Sequence, residues 1–292
     1  MKHSPFQPKI IIAGPTTSGK TKLAVALARH LDGEIISADS RQVYRGLDLV
    51  SGKDLKEYGE GPYHGINLLE ISQEYSVSRF QLWARAWISS IEGRGKVAIL
   101  CGGTGHYLKA LIQDYPFAHP GHNPHFSHFL ESLPLPFLTL VAGELKLSGP
   151  TDSKRRIARQ IEKALSPQVP SPATPPDWQF QVFLLKVDRT LLRTRILSRL
   201  KERFEQGMIG EVEGILNQGV PADRLLSLGL EYKWITRYLL GEINREELEL
   251  GLYQAICQFA KRQETFFRYM QKEGIAMQPV ESLEQILERL KK

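Results

Sequence analysis

Gly14-Pro15-Thr16-Thr17-Ser18-Gly19-Lys20-Thr21 satisfies the spacing Gly-x4-Gly-Lys-[Ser/Thr]. The chemistry of that spacing is the holding of a di- or triphosphate. Its glycines let the backbone wrap an anion, and successive N–H groups and the start of a following helix point at it. Lys20 neutralises charge, and the Thr21 hydroxyl is placed to ligate Mg²⁺. Such a loop says what is held and not what is done to it. The second reactive candidate is Asp39, followed by Ser40, Arg41 and Gln42. A carboxylate beside bound phosphates orients a metal, serves as base on an incoming nucleophile, or simply closes a turn or caps a helix. Position alone leaves these open.

The elements around these residues read as an α/β chain. Lys9 to Ala13 is a short β-branched run that feeds Gly14-Pro15, and Leu23, Ala24, Leu27, Ala28 and Leu31 then recur at helical spacing from Lys22. After the Asp32-Gly33 turn, Glu34 to Ala38 predicts a second strand, delivering Asp39 to its carboxyl end. Ser76 is a candidate cap for a helix whose buried stripe is Val77, Phe80, Ala84, Trp87 and Ile91, stopped by Gly93 and Gly95. Lys96 to Cys101 is a third strand, and it ends in Gly102-Gly103-Thr104-Gly105 without the acid that ATPases of this loop type place there. A helix follows from about His106 to Ile112. This alternation predicts a phosphate-loop NTPase-like α/β fold: a parallel sheet with flanking helices and ligands at the strand carboxyl ends. Beyond Tyr115 the pattern breaks up. Asp152 to Leu165 reads as a basic helix, Ser166 to Pro176 with its five prolines as an extended linker, and Phe180 to Val187 as a returning strand; the last hundred residues are mostly helical. The expected organisation is a core begun by 1–114, an insertion at 115–178, and 179–292 completing the core.

Composition narrows the classes. The chain has 292 residues, 42% apolar and 24% charged, which excludes disordered, collagen-like and coiled-coil readings for most of its length. No apolar run is long enough to cross a bilayer and Met1 to Lys9 has no apolar core, so neither a membrane nor a secreted setting is expected. Cys101 and Cys257 make no disulfide framework and no zinc pair, which suits a reducing cytoplasm. Twelve Lys and Arg against six acids between 151 and 210 equal the whole net charge of +6. That concentration is either a pair of solvated helix faces or the footprint of a polyanion.

Three ordered stretches now suggest a family. Gly14 to Thr21, Asp39-Ser40-Arg41-Gln42-Val43-Tyr44-Arg45-Gly46-Leu47-Asp48 and Gly102-Gly103-Thr104-Gly105-His106-Tyr107-Leu108-Lys109-Ala110-Leu111 resemble the tRNA dimethylallyltransferase (isopentenyltransferase) family. The likeness continues through 156–162, 195–199, Glu211-Val212 and Gln258 to Arg268. It implies transfer of a dimethylallyl group from dimethylallyl diphosphate to the exocyclic amine of the adenosine 3′ of the anticodon. The loop would then hold a leaving diphosphate, with Mg²⁺ as cofactor. The resemblance casts Asp39 as the base and has Thr104 place an adenine flipped from its stack. Arg199 would join Lys20 on the departing diphosphate. Asp39 to Gln42 would read the base, while Arg156, Arg159, Lys261, Arg262 and Arg268 would hold phosphates of an anticodon stem-loop. The chain is expected to be monomeric.

Departures are informative too. Arg203 stands where a methionine is usual, four residues after Arg199, and reads as an extra phosphate contact. Leu230 and Glu231 separate Gly229 from Tyr232 where the two are normally adjacent, and Asp152 is offset by one residue. His119, His122, His125 and His128 recur every third residue, but Pro120 and Pro124 argue against a regular helix and no acid or cysteine completes a metal set. Trp83 and Trp87 suit a buried stripe, and Cys101 a small buried hydrophobe. Competing readings are prenylation of a free adenine nucleotide, a small-molecule or nucleotide kinase, and a non-catalytic RNA-binding protein.

Overall fold

The computed structural model describes residues 9–115, 117, 119–120, 124–147, 153–165, 168–169 and 178–291. The readings placed on Met1 to Pro8, His122, Asp152 and most of the proline segment lie outside them. The chain divides into two units, one of Met1–Asp114 with Asp177–Lys292 and one of Tyr115–Pro176.

In the larger unit six strands form one all-parallel sheet, as the strand and helix alternation predicts. They are β1 (Lys9–Ala13), β2 (Gly33–Ser37), β3 (Tyr63–His64), β4 (Val97–Gly102), β5 (Phe180–Leu185) and β6 (Met277–Val280). Their order across the sheet is β3-β2-β4-β1-β5-β6. β1 is central, with Ile12 registered between Cys101 and Phe183. Strand side chains alternate between faces, so Ile10 and Ile12 enter one apolar cluster while Ile11 and Ala13 enter another. The first is closed by helix α1 (Lys20–Leu31). The second is closed by α2 (Val77–Gly93), by α3 (Gly105–Ile112) and by Phe267 and Met270 of the long C-terminal helix. Ser76 caps α2, accepting from the Arg79 amide at 3.2 Å. A third cluster lies among helices α4 (Arg189–Glu205), α5 (Leu230–Leu239) and α6 (Arg245–Lys272), and takes in Val43, Tyr44, Leu47 and Val50. It therefore ties the segment after Asp39 to the C-terminal helices.

The smaller unit has its own core of Leu130, Leu138, Ala142, Ile157, Ala158 and Ile161. The helix Lys154–Leu165 buries that stripe and is basic elsewhere, as its sequence predicts. Two local expectations fail here. Pro124 opens the helix Pro124–Ser132 instead of forbidding one, because proline at the first helical position loses no intrahelical bond. Gln168–Val169, read as linker, pairs antiparallel with His119–Pro120. Among the described residues no helix is long and apolar enough to cross a membrane, and no cluster of three metal-ligating side chains occurs.

Candidate active site

Parallel strands bring their carboxyl ends to one edge, and the loops leaving β1, β2 and β4 meet there. The phosphate loop turns through Thr17 at φ 62° and Gly19 at φ 92°. The second is a conformation that side chains rarely adopt, which is why the pattern demands glycine there. The turn starts α1 at Lys20, two residues before the predicted start at Lys22. Lys20 Nζ donates to the Pro15 carbonyl at 3.3 Å. Burial pulls the Lys20 pKa down and Arg199 adds to the effect, while Cys101, Asp39 and Asp54 oppose it. Cys101 itself is buried, its thiol pushed up to about 11 chiefly by desolvation, so it stays an unreactive thiol at neutral pH.

Asp39 follows β2. Its Oδ1 accepts from the Arg41 amide at 2.8 Å and the Gln42 amide at 3.4 Å. Among the described residues Oδ2 has no hydrogen-bond partner. The turn is thus closed by one oxygen of the carboxylate. Gln42 accepts from the Ser37 hydroxyl at 2.8 Å and donates to the Gly52 carbonyl at 3.1 Å, tying the loop to β2 and to the turn at residue 52.

One cavity of about 440 Å³ gathers the predicted groups. Thr16, Lys20 and Thr21 line it from the phosphate loop, Asp39, Ser40, Arg41 and Gln42 from the second loop, and Thr104 from the turn after β4. Arg199 and Arg262 reach it from α4 and α6. A second cavity of about 400 Å³ shares Lys20, Thr21, Asp54, Arg199 and Arg203 with the first and adds Thr17 and Gly19. Other expected residues are placed elsewhere. Gly14, Pro15 and Ser18 shape the loop without lining either cavity. Lys261 lines a separate groove with Arg189 and Arg193. Arg268 donates to Thr265 on the outside of α6. Arg156 and Arg159 belong to the smaller unit, where Arg159 is engaged by the buried carboxylate of Glu162.

Three supporting residues were given no role by the sequence, although Glu211 and Gln263 lie in stretches of the family likeness. Gln263, on α6, accepts from the Thr16 amide at 2.7 Å and donates to the Gly103 carbonyl at 2.9 Å, bracing the phosphate loop against the glycine turn. Glu211 accepts from the amides of Asp48, Leu49 and Val50 at 2.7, 3.0 and 2.8 Å. Lys53, fully buried, donates to the Tyr44 carbonyl, Asp48 and Asn67 at 2.5–2.7 Å. Gln263→Ala is expected to lower stability by about 1–3 kcal/mol, the cost of leaving buried polar groups unmet. Urea denaturation measures this, and an unchanged midpoint with an unchanged slope would refute the brace.

Comparison with known proteins adds the family context. The IPP transferase family model matches residues 42–270 and the isopentenyl transferase model residues 9–62. The chain is 46% identical over 272 residues to tRNA dimethylallyltransferase 2 of Shewanella sediminis, covering 91% of this chain and 90% of that one. It is 44% identical over 289 residues to tRNA dimethylallyltransferase 2 of Trichlorobacter lovleyi, covering 95% and 93%. Among solved structures, the tRNA isopentenylpyrophosphate transferase of Bacillus halodurans aligns with a TM-score of 0.72 at 29% identity over 98% of this chain and 95% of that one. A eukaryotic dimethylallyltransferase acting on tRNA aligns with a TM-score of 0.73 at 22% identity over 96% and 75%, a likeness of fold.

Proposed function

This chain belongs to the tRNA dimethylallyltransferase (IPP transferase) family, and on that premise we propose that it moves a dimethylallyl group from dimethylallyl diphosphate to the exocyclic amine of the adenosine 3′ of the anticodon. The observation that carries this reading is the single cavity in which a phosphate loop, an aspartate whose second oxygen is uncommitted among the described residues, and an arginine of α4 share a wall. The amine nitrogen bonds to the first carbon of the dimethylallyl group, the bond from that carbon to diphosphate oxygen breaks, and Asp39 Oδ2 takes the amine proton. Lys20 and Arg199 bear on the oxygens where charge gathers as the bond breaks, which is where fixed cations accelerate most. Thr104 and the Ser40–Arg41 pair hold the extruded base. Phe259 and Arg262, whose guanidinium lies 5.8 Å from the Phe259 ring centre, offer planar faces beside it.

Mg²⁺ fits this wall as a substrate-borne ion. The Thr21 hydroxyl and the Asp54 carboxylate are hard oxygen donors lining the cavity, too few for an all-protein cage, and magnesium is commonly held by one or two protein groups plus phosphates. When bound, the ion supplies charge neutralisation on the leaving diphosphate.

The test offers the purified protein labelled dimethylallyl diphosphate and Mg²⁺, with an unmodified adenosine-containing anticodon stem-loop and AMP in parallel. Label is expected in the RNA alone. Label in AMP would make the protein a nucleotide prenyltransferase, and label in neither, with phosphate transfer from ATP, would make it a kinase.

A further inference from the structure

Two departures from the family pattern meet in the cavity wall: Arg203 and Glu231 both line it. Residues 199 and 203 are four apart on α4, so their side chains share a face. Both guanidinium groups turn to one carboxylate: Arg199 donates to Asp54, and Arg203 Nη2 lies 3.5 Å from Asp54 Oδ1. The Arg203 side chain is the more enclosed of the two, 12% exposed against 26%. Its Nη2 is wholly buried and, among the described residues, has no hydrogen-bond partner beyond the ion pair with Asp54. Gly52, at φ 64°, clears the seat, since a Cβ on that residue would collide with the Arg203 guanidinium.

A buried guanidinium is costly unless an anion meets it. Burial and the neighbouring Arg199 pull the Arg203 pKa down, against Asp54 and Glu231, yet arginine keeps its charge in proteins. The local anions do not balance the pair. Asp54 is shared between two cations, and burial pushes the Glu231 carboxyl up toward its neutral form despite Arg203. Across the cavity wall five cationic side chains face three carboxylates among the described residues. Methionine at 203 would halve that surplus. The second cavity shares Lys20, Arg199 and Arg203 and adds Arg195, four cations to the three carboxylates of Asp54, Glu57 and Glu202, so a smaller excess continues there. A ligand of two or more negative charges is the class that uses it.

We propose that Arg203 is a second diphosphate-binding arginine, paired with Arg199 across Asp54 and seated on Gly52, and that it sets this enzyme's affinity for the diphosphate of its donor. The inference rests on the donor reading above. Inorganic diphosphate with Mg²⁺ is titrated calorimetrically into the full chain and its variants. Arg203→Met is expected to bind ~10–100-fold more weakly, the range of a lost charge-assisted contact, with Arg203→Lys between. In turnover, KM for dimethylallyl diphosphate rises and KM for the stem-loop stays. Thermal midpoints check that the variants are folded, and Arg203→Lys keeps a cation beside Asp54 and Glu231 should the methionine variant not fold. Equal diphosphate affinity in the folded variants would overturn this inference alone. So would recovery of wild-type affinity in Arg203→Met/Glu231→Gln, since Arg203 would then serve only to balance Glu231. No diphosphate binding by the wild type would overturn the donor reading and this inference with it.

Discussion

Asp39→Asn is expected to lower kcat by ~10²–10⁴-fold, the usual worth of a general base, while diphosphate affinity stays close to wild type. Asparagine is the informative replacement. Its side-chain oxygen still accepts from the Arg41 and Gln42 amides that Oδ1 holds at 2.8 and 3.4 Å, so the turn survives and only the proton acceptor is lost. Asp39→Ala removes both, and the difference between the two variants measures what the turn contributes. Single-turnover assays with saturating stem-loop read the chemical step directly. A kcat within a few-fold of wild type for Asp39→Asn would leave Asp39 a turn former and move the base elsewhere in the cavity.

The second large effect falls on Arg199. Arg199→Ala is expected to cost ~10²–10³-fold in kcat, as the loss of one preorganised donor to a developing anion does. The effect should sit in kcat more than in KM, because negative charge on the diphosphate oxygens grows as the carbon–oxygen bond breaks. Arg199→Lys restores only part of it, since the ammonium lacks the planar fork that engages two oxygens at once. Removing Arg199 leaves Asp54 with Arg203 still 3.5 Å away, so that carboxylate keeps a counter-charge. The control is Arg199→Ala with Asp54→Ala. Were Arg199 present only to offset Asp54, the pair would regain wild-type turnover, and that result would end its assignment to the leaving group.

The parts of the site legible in the sequence are those in which one short segment carries both shape and chemistry. The phosphate loop is such a segment: the glycines, Lys20 and Thr21 act through their own backbone turn and the helix that starts there. Asp39 was legible as a position, because a strand of β-branched residues delivers whatever follows it to the sheet edge. Its two oxygens with different employment were not. Arg199 was nameable only through the family likeness, since one arginine among many on a basic helix has no pattern of its own. The basic residues expected to work together prove to be dispersed: Arg262 enters the cavity, Lys261 faces another groove, and Arg156 and Arg159 belong to a separate unit. Adjacent positions on a helix point about 100° apart, so neighbours in sequence are assigned to different surfaces.

By itself, then, the sequence determined the α/β alternation, the parallel sheet, the glycine-lysine loop that starts its first helix and the family. These follow from periodicity and from motifs a few residues long, whose physics is local. Only the tertiary structure decided how the loops are held and how charge is balanced. Gln263 braces Thr16 across 247 positions, Glu211 caps residues 48–50 from more than 160 positions away, and Arg203 finds its seat on Gly52. Each is a side chain meeting a distant backbone, a contact that leaves no spacing to read along the chain because it exists only once the sheet and the C-terminal helices have packed.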